Sequence, residues 1–167
     1  TEGREVLPKG ARANELQFFE DWPGVWEAWD IDYNFEEKMW TAGKPERMSL
    51  VESGPVRAVV RLVWSTGASR ITQDVTLHAC SSRVDFATHV DWHERRTLLK
   101  AAFPVDVRSS SAHFEVQFGA ISRPTHRNRA SDLAQFEVPA QKWADLSEPD
   151  FGVSLLNDCK YGYDVKD

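Results

Sequence analysis

From Ser49 onward the chain holds successive segments in which apolar and polar residues alternate with a period of two, the pattern of strands that turn one face towards a core. Val56, Ala58, Val60, Leu62 and Trp64 alternate with Arg57 and Arg61, which predicts a strand whose arginines point away from the core. After the turn Ser65-Thr66-Gly67-Ala68-Ser69, a second run sets Ile71, Gln73, Val75 and Leu77 against Thr72, Asp74, Thr76 and His78. The regularity is clearest over residues 83–107. There Val84, Phe86, Thr88, Val90 and Trp92 share one face, and Asp85, Ala87, His89, Asp91 and His93 the other. A charged turn, His93-Glu94-Arg95-Arg96-Thr97, leads to a segment with Leu99, Ala101, Phe103 and Val105 on one side, limited by Pro104, which has no amide proton to give a ladder. The two halves predict a hairpin, the central one of a sandwich.

Further on, Ala112, Phe114, Val116 and Phe118 alternate with His113, Glu115 and Gln117, and Gly119 closes that strand. A polar loop from Ser122 to Ser131 follows, and then two short apolar stretches, Phe136 to Pro139 and Gly152 to Asn157. Upstream the pattern is irregular. Val25, Trp26, Trp29 and Tyr33 have near-helical spacing, consistent with a short helix or a wrapped loop. Residues 1–14, polar and holding Pro8 and Gly10, read as a connecting arm. Short strands at regular spacing with few helical segments predict an all-β fold over residues 15–167, an antiparallel β-sandwich with little helix. The chain stops just after a strand, at Tyr161 to Asp167, which leads us to expect an unpaired sheet edge open to pairing with a second copy.

Composition narrows the partners. The 167 residues fit one domain, which at this size buries about two thirds of its unfolded surface. A net charge of −6 repels nucleic acid and anionic membrane, so neither is an expected partner. No apolar run approaches the ~20 residues that span a bilayer. Cys80 and Cys159 are neither CxxC-spaced nor dense enough for a disulfide framework, and no Asn-x-Ser/Thr sequon occurs. The expected setting is cytoplasmic. Trp22, Trp26, Trp29 and Trp40 form an aromatic cluster, which is either a stacking platform for sugars or large core filler.

Several constellations suggest chemistry without completing it. His93-Glu94-Arg95-Arg96-Thr97 imitates the zinc-protease signature H-E-x-x-H, but Thr97 stands where the second histidine is needed and the flanks are strand-like. Asp91 and Glu94 read either as a general acid and base pair or as solvated partners of Arg95 and Arg96. His89 and His113 could approach each other across a sheet, though no spacing singles out a metal site. No nucleophile elbow, P-loop or dinucleotide fingerprint is present. Three stretches mix aromatic rings with hydrogen-bonding groups in the way carbohydrate sites do: residues 26–33, 123–128 and 157–164. Each also reads as an ordinary solvated turn.

The strings WEAWDID at 26–32, VESGPVRAVVR at 51–61, VDWHERRTLLKAAFPVDV at 90–107, QFGAISRPTH at 117–126 and KWADLSEPDFGVSLLNDCKYGYD at 142–164 resemble the C-terminal β-sandwich region of glycoside hydrolase family 38 α-mannosidases, in their cytosolic and bacterial branch. The resemblance implies an incomplete galactose-mutarotase-like supersandwich whose partner is the catalytic domain of the same polypeptide. It implies a parent enzyme that hydrolyses α-mannosides with retention, through an aspartate nucleophile and zinc held by His and Asp. Those residues have no counterpart here, so no catalytic residue, metal ligand or cofactor is expected in this chain. The resemblance makes the stretch 157–164 the candidate wall of the sugar site. Lys160 and Tyr161 are the expected substrate contacts, with Trp29 and Asp30 behind them. A freestanding carbohydrate-binding module and an interaction domain that pairs through a sheet edge are the alternatives.

Overall fold

The computed structural model describes residues 3–26 and 29–166. They form strands joined by turns and loops, with very little helix, and contacts divide them into two compact units. Among the described residues no helix is long and apolar enough to cross a membrane. Thr1, Glu2, Glu27, Ala28 and Asp167, which belong to the expected arm, to the 26–33 stretch and to the chain end, lie outside the described residues.

The first unit centres on residues 13–103. Its strands are β1 (Glu15–Glu20), β2 (Met39–Thr41), β3 (Arg47–Ser53), β4 (Arg57–Thr66), β5 (Ser69–His78), β6 (Val84–Asp91) and β7 (Thr97–Ala102). One antiparallel sheet runs β2-β1-β7 and the other β3-β4-β5-β6. Leu16 and Phe18 of the first pack with Trp64 and Ile71 of the second, and Leu62, Trp92 and Leu99 gather round them. Two sheets face to face over such a core make a sandwich. Fully burying a side chain such as Ile71 or Phe18 contributes about 1.5–3 kcal/mol. Gln73 is also buried at the β5 position between Ile71 and Val75. Its amide is satisfied by the Thr88 hydroxyl and the Asn14 side chain, so a core polar group goes unpenalised.

The second unit comprises residues 5–12 and 104–167. It contains β8 (Ser111–Val116), β9 (Gly119–Pro124), α1 (Ala130–Ala134), β10 (Val138–Pro139), β11 (Trp143–Glu148), β12 (Phe151–Leu156) and β13 (Gly162–Tyr163). A four-stranded sheet runs β12-β11-β8-β9, and β10 pairs with β13 as a ribbon. Ala112, Phe114 and Ala144 from the sheet and Val138, Ala140 and Tyr163 from around the ribbon enclose this unit's core. The expected arm does not stand apart: Val6 accepts the Asp106 N–H at 2.7 Å.

Antiparallel β structure with little helix is as expected, but several elements depart from the sequence pattern. Residues 83–107 do not form a hairpin, because β6 pairs with β5 while β7 pairs with β1 in the other sheet. Local order explains the change of layer. The Glu94 carboxylate accepts the Ala68 N–H and the Ser69 hydroxyl at 2.9 Å each, and Ser69 Oγ accepts the His93 N–H at 2.8 Å. The turn is thereby tied to the β4–β5 corner, and Arg96 (φ 52°) redirects the chain. Val59 and Val63 are buried on the face assigned to Arg57 and Arg61. On that face the arginines stand either side of Val59 and pair with Glu52 and Asp74, an arrangement in which long aliphatic stems can cover a neighbouring apolar side chain. Val56 is exposed ahead of its strand. The irregular stretch before Trp40 contains the buried strand β1, and the polar stretch after Gly119 contains β9 and α1. The strand at Trp143–Glu148 carried no clear alternation.

Candidate functional site

Two depressions among the described residues gather chemically active side chains, one in each unit. In the second unit, the β9 end, the following loop and α1 surround a recess of about 30 Å³, lined on its polar side by Arg123, Thr125, His126, Arg127, Asp132 and Asp164. That is room for about one water. Phe114 and Phe136 close the apolar side. Thr125 is fixed by its N–H to Ser110 O (3.1 Å) and its hydroxyl to Ser109 O (2.8 Å). The Arg123 guanidinium lies 4.8 Å from the Phe114 ring centre and donates to Pro139 O at 3.0 Å. Burial holds its pKa below the ordinary value, though it stays a cation. His126 Nδ1 is 3.4 Å from Asp132 Oδ2, close enough for an ion pair when the ring is protonated. That nitrogen is buried and has no aligned hydrogen-bond partner. Asp132 also accepts the Arg129 N–H at 3.1 Å, which holds the start of α1. Asp164, from the stretch 157–164, therefore lines one recess with residues of the stretch 123–128.

The first unit holds a wider cleft of about 190 Å³ between the end of β1 and the loop before β2, lined by Glu20, Asp21, Trp22, Asp32, Asn34 and Lys38. Arg96 stacks over the Trp22 ring, its guanidinium carbon 3.3 Å from the ring centre, a cation–π contact that holds the indole plane. The Arg96 carbonyl accepts the Asp21 N–H at 2.8 Å. Asp32 accepts the Gly24 N–H at 3.1 Å, and Lys38 pairs with Glu20 at 2.5 Å. Partial burial, and after it the neighbouring Asp32 charge, raise the Asp21 pKa above its ordinary 3.8. The stacked, half-exposed indole and the two facing carboxylates suit a ligand with one apolar face and several hydroxyl donors.

The sequence-predicted contacts are arranged differently. Lys160 and Tyr161 are neighbours in the second unit, and neither lines its recess. Asn157 Oδ1 accepts the Cys159 and Lys160 N–H groups at 2.8 and 2.6 Å, its amide donates to the Tyr163 hydroxyl at 2.8 Å, and Ala140 N–H donates to Tyr161 O at 3.0 Å. Their backbone is thus held while the Tyr161 ring stays half exposed. Trp29 and Asp30 belong to the first unit, outside the cleft. Trp29 is 88% exposed, and Asp30 accepts the N–H of Ile31 at 2.9 Å.

The other constellations resolve into structural roles. Asp91 faces His93 at 3.0 Å with both side chains largely exposed, whereas Glu94 is committed to the β4–β5 corner. His89 and His113 lie in different sheets, paired with Thr72 and with Asp145 and Ser122 respectively. Among the described residues no three His, Cys, Asp or Glu side chains converge as a metal site. The sequence pattern missed Asp21, Trp22, Asp32, Lys38 and Arg96 as neighbours because they come from three separate segments. Trp22 in the aromatic cluster and Asp32 in the stretch 26–33 were the local signals.

Comparison with known proteins gives the relationship. Over 166 residues, 98% of this chain, it is 43% identical to alpha-mannosidase 2C1 of Homo sapiens. It is 42% identical over 171 residues to alpha-mannosidase G of Dictyostelium discoideum, and 36% identical over 159 residues to an alpha-mannosidase of Saccharomyces cerevisiae. The chain spans only about 15–16% of the length of these curated relatives. A family model described as "Glycosyl hydrolases family 38 C-terminal domain" matches residues 1–167. With the all-β architecture and a match over its whole length, the chain belongs to the glycosyl hydrolase family 38 C-terminal domain family.

Proposed function

We propose that this chain works as the C-terminal β region of an α-mannosidase, within a longer polypeptide whose remaining part carries out hydrolysis of α-mannosides. The observation that carries this reading is the match of 98% of the chain to proteins named alpha-mannosidase that are about six times longer. In the reaction so assigned, a carboxylate of the catalytic part displaces the leaving group and water then releases the sugar with retention. The implied zinc does not fit this chain, since no three suitable donors converge among its described residues, and we assign no step here to a metal. The β region scaffolds the catalytic part, with Lys160 and Tyr161 offering the sugar a cation and a half-exposed ring on a held backbone. A cytoplasmic setting accords with two exposed, free cysteines.

The test compares the purified 167-residue chain with the longer polypeptide that carries it. The longer protein is expected to release p-nitrophenol from p-nitrophenyl α-mannoside and to retain zinc, while the chain alone does neither. Turnover by the chain, or a longer protein inactive on α-mannosides, overturns the reading.

A second reading, that the chain itself binds sugar, is favoured by the exposure of Trp26, Trp29 and Tyr33, which are 71%, 88% and 79% exposed along one loop. Titration with mannobiose is then expected to give saturable quenching of tryptophan fluorescence that Trp29→Ala reduces. A flat trace rules it out.

A further inference from the structure

Phe118 occupies an unfavourable position for a large aromatic residue in the second unit. It sits with Gln117 at the tip between β8 and β9, where Val116 pairs with Gly119. Its side chain is fully exposed, at 110% of the reference area, and its φ is 64°. A left-handed conformation at a hairpin tip is normally filled by glycine or asparagine, because a Cβ crowds the backbone there. A fully exposed aromatic ring in that conformation is unfavourable twice over: the backbone is strained and a large apolar surface faces water. Strained residues of this kind cluster at functional sites.

The ring is not isolated from other apolar surface. Phe114, Val116 and Ile121 share one face of the β8–β9 pair, since Phe114 pairs with Ile121 and Val116 follows Phe114 by two residues. Phe114 is buried there in the unit's core, whereas Ile121, on the edge strand, is 43% exposed. On this face Arg123 covers Phe114, and Ile121, two residues along β9, is left half exposed towards the tip that carries Phe118. No charged residue lies between Val116 and Ser122, so this end of the hairpin suits a desolvated contact.

We propose that the β8–β9 tip is a docking element, with Phe118 as its anchor, and that its occupant is the remaining part of the same longer polypeptide. The choice of occupant rests on the α-mannosidase reading above: the relatives matched by 98% of this chain carry about five-sixths of their length outside the matched stretch. A lone aromatic anchor in a pocket of a covalently linked partner needs little area of its own, because the linkage supplies a high effective concentration.

A photoreactive benzoylphenylalanine placed at position 118 of the longer polypeptide tests this. Irradiation is expected to join position 118 to a peptide outside residues 1–167 of the same molecule, identified by mass spectrometry of the monomer. A link to a second copy, links only within residues 1–167, or no link overturns the proposal. Thermal unfolding of Phe118→Gly gives an independent sign. Glycine relieves the backbone strain, so an undocked tip would raise the unfolding temperature of the longer polypeptide. Docking predicts that it falls, and a rise counts against the proposal. Hydrolysis of p-nitrophenyl α-mannoside by the same preparation separates the two readings: an active enzyme without the link sinks the docking element alone, and an inactive one with the link sinks the α-mannosidase assignment alone.

Discussion

Asp21 illustrates how much of this molecule is settled by single side chains whose neighbours are remote in the sequence. Its carboxyl is raised above the ordinary value by burial and by the Asp32 charge. The sign of the linkage follows. A folded-state pKa above the unfolded value contributes stability that is fully present below the unfolded pKa and is lost as pH rises through the folded pKa. Near neutral pH, therefore, the ionised Asp21 works against folding. Asp21→Asn is expected to raise the thermal midpoint at pH 7 and to give no gain at pH 3, as read by circular dichroism at both pH values; an equal effect at both would show that charge is not the cause. The paired carboxylates behave oppositely. Asp74 and Glu52 are lowered by hydrogen bonds from Arg61 and Arg57, so what they contribute is lost in acid. These pairs lie at the surface, where salt and water screen them and each is worth little.

At the scale of elements, the segment 92–96 decides how the first unit is assembled. A hairpin was the local expectation because alternation on both sides of a charged turn looks the same whether the strands pair with each other or with different sheets. The information that separates the cases is a side-chain contact, Glu94 on the Gly67-Ala68-Ser69 corner, between residues about 26 positions apart. Gly67 has a φ of 55°, and a Cβ there would come within 2.6–2.8 Å of the Glu94 carboxyl, so the corner is shaped to receive it. Removing the carboxylate leaves the buried Ser69 hydroxyl without its acceptor, at a cost of about 1–3 kcal/mol, while the exposed Ala68 N–H turns to water. Glu94→Ala is expected to lower stability by that amount in urea unfolding, with Glu94→Gln losing less. A stability equal to the parent chain would refute this role. The same contact removes Glu94 from the acid and base pair that Asp91 suggested.

For the whole molecule, the chain's family membership and its two compact all-β units describe a part whose chemistry, on the reading proposed above, is supplied by other residues of a longer polypeptide. The comparison of hydrolysis and zinc content between chain and longer protein belongs to this scale, because the proposed reading assigns the reaction to the longer polypeptide. Much of the architecture was legible beforehand. Period-two alternation at Val84–Asp91, Ile71–Leu77 and Ala112–Val116 is a local property of the pleated backbone, so the sequence alone was enough to establish an all-β class and the position of the main strands. Long ordered strings such as VDWHERRTLLKAAFPVDV also carried the family resemblance. The tertiary structure alone decided which strands share a sheet, that Val59 and Val63 are covered on a face with two arginines, and that Asp164 reaches the recess beside Arg123 and His126. The physical reason is range. Alternation reports the face a residue turns to along its own strand, whereas sheet partners, shielding by long side chains and converging polar groups depend on residues that only the folded chain brings together.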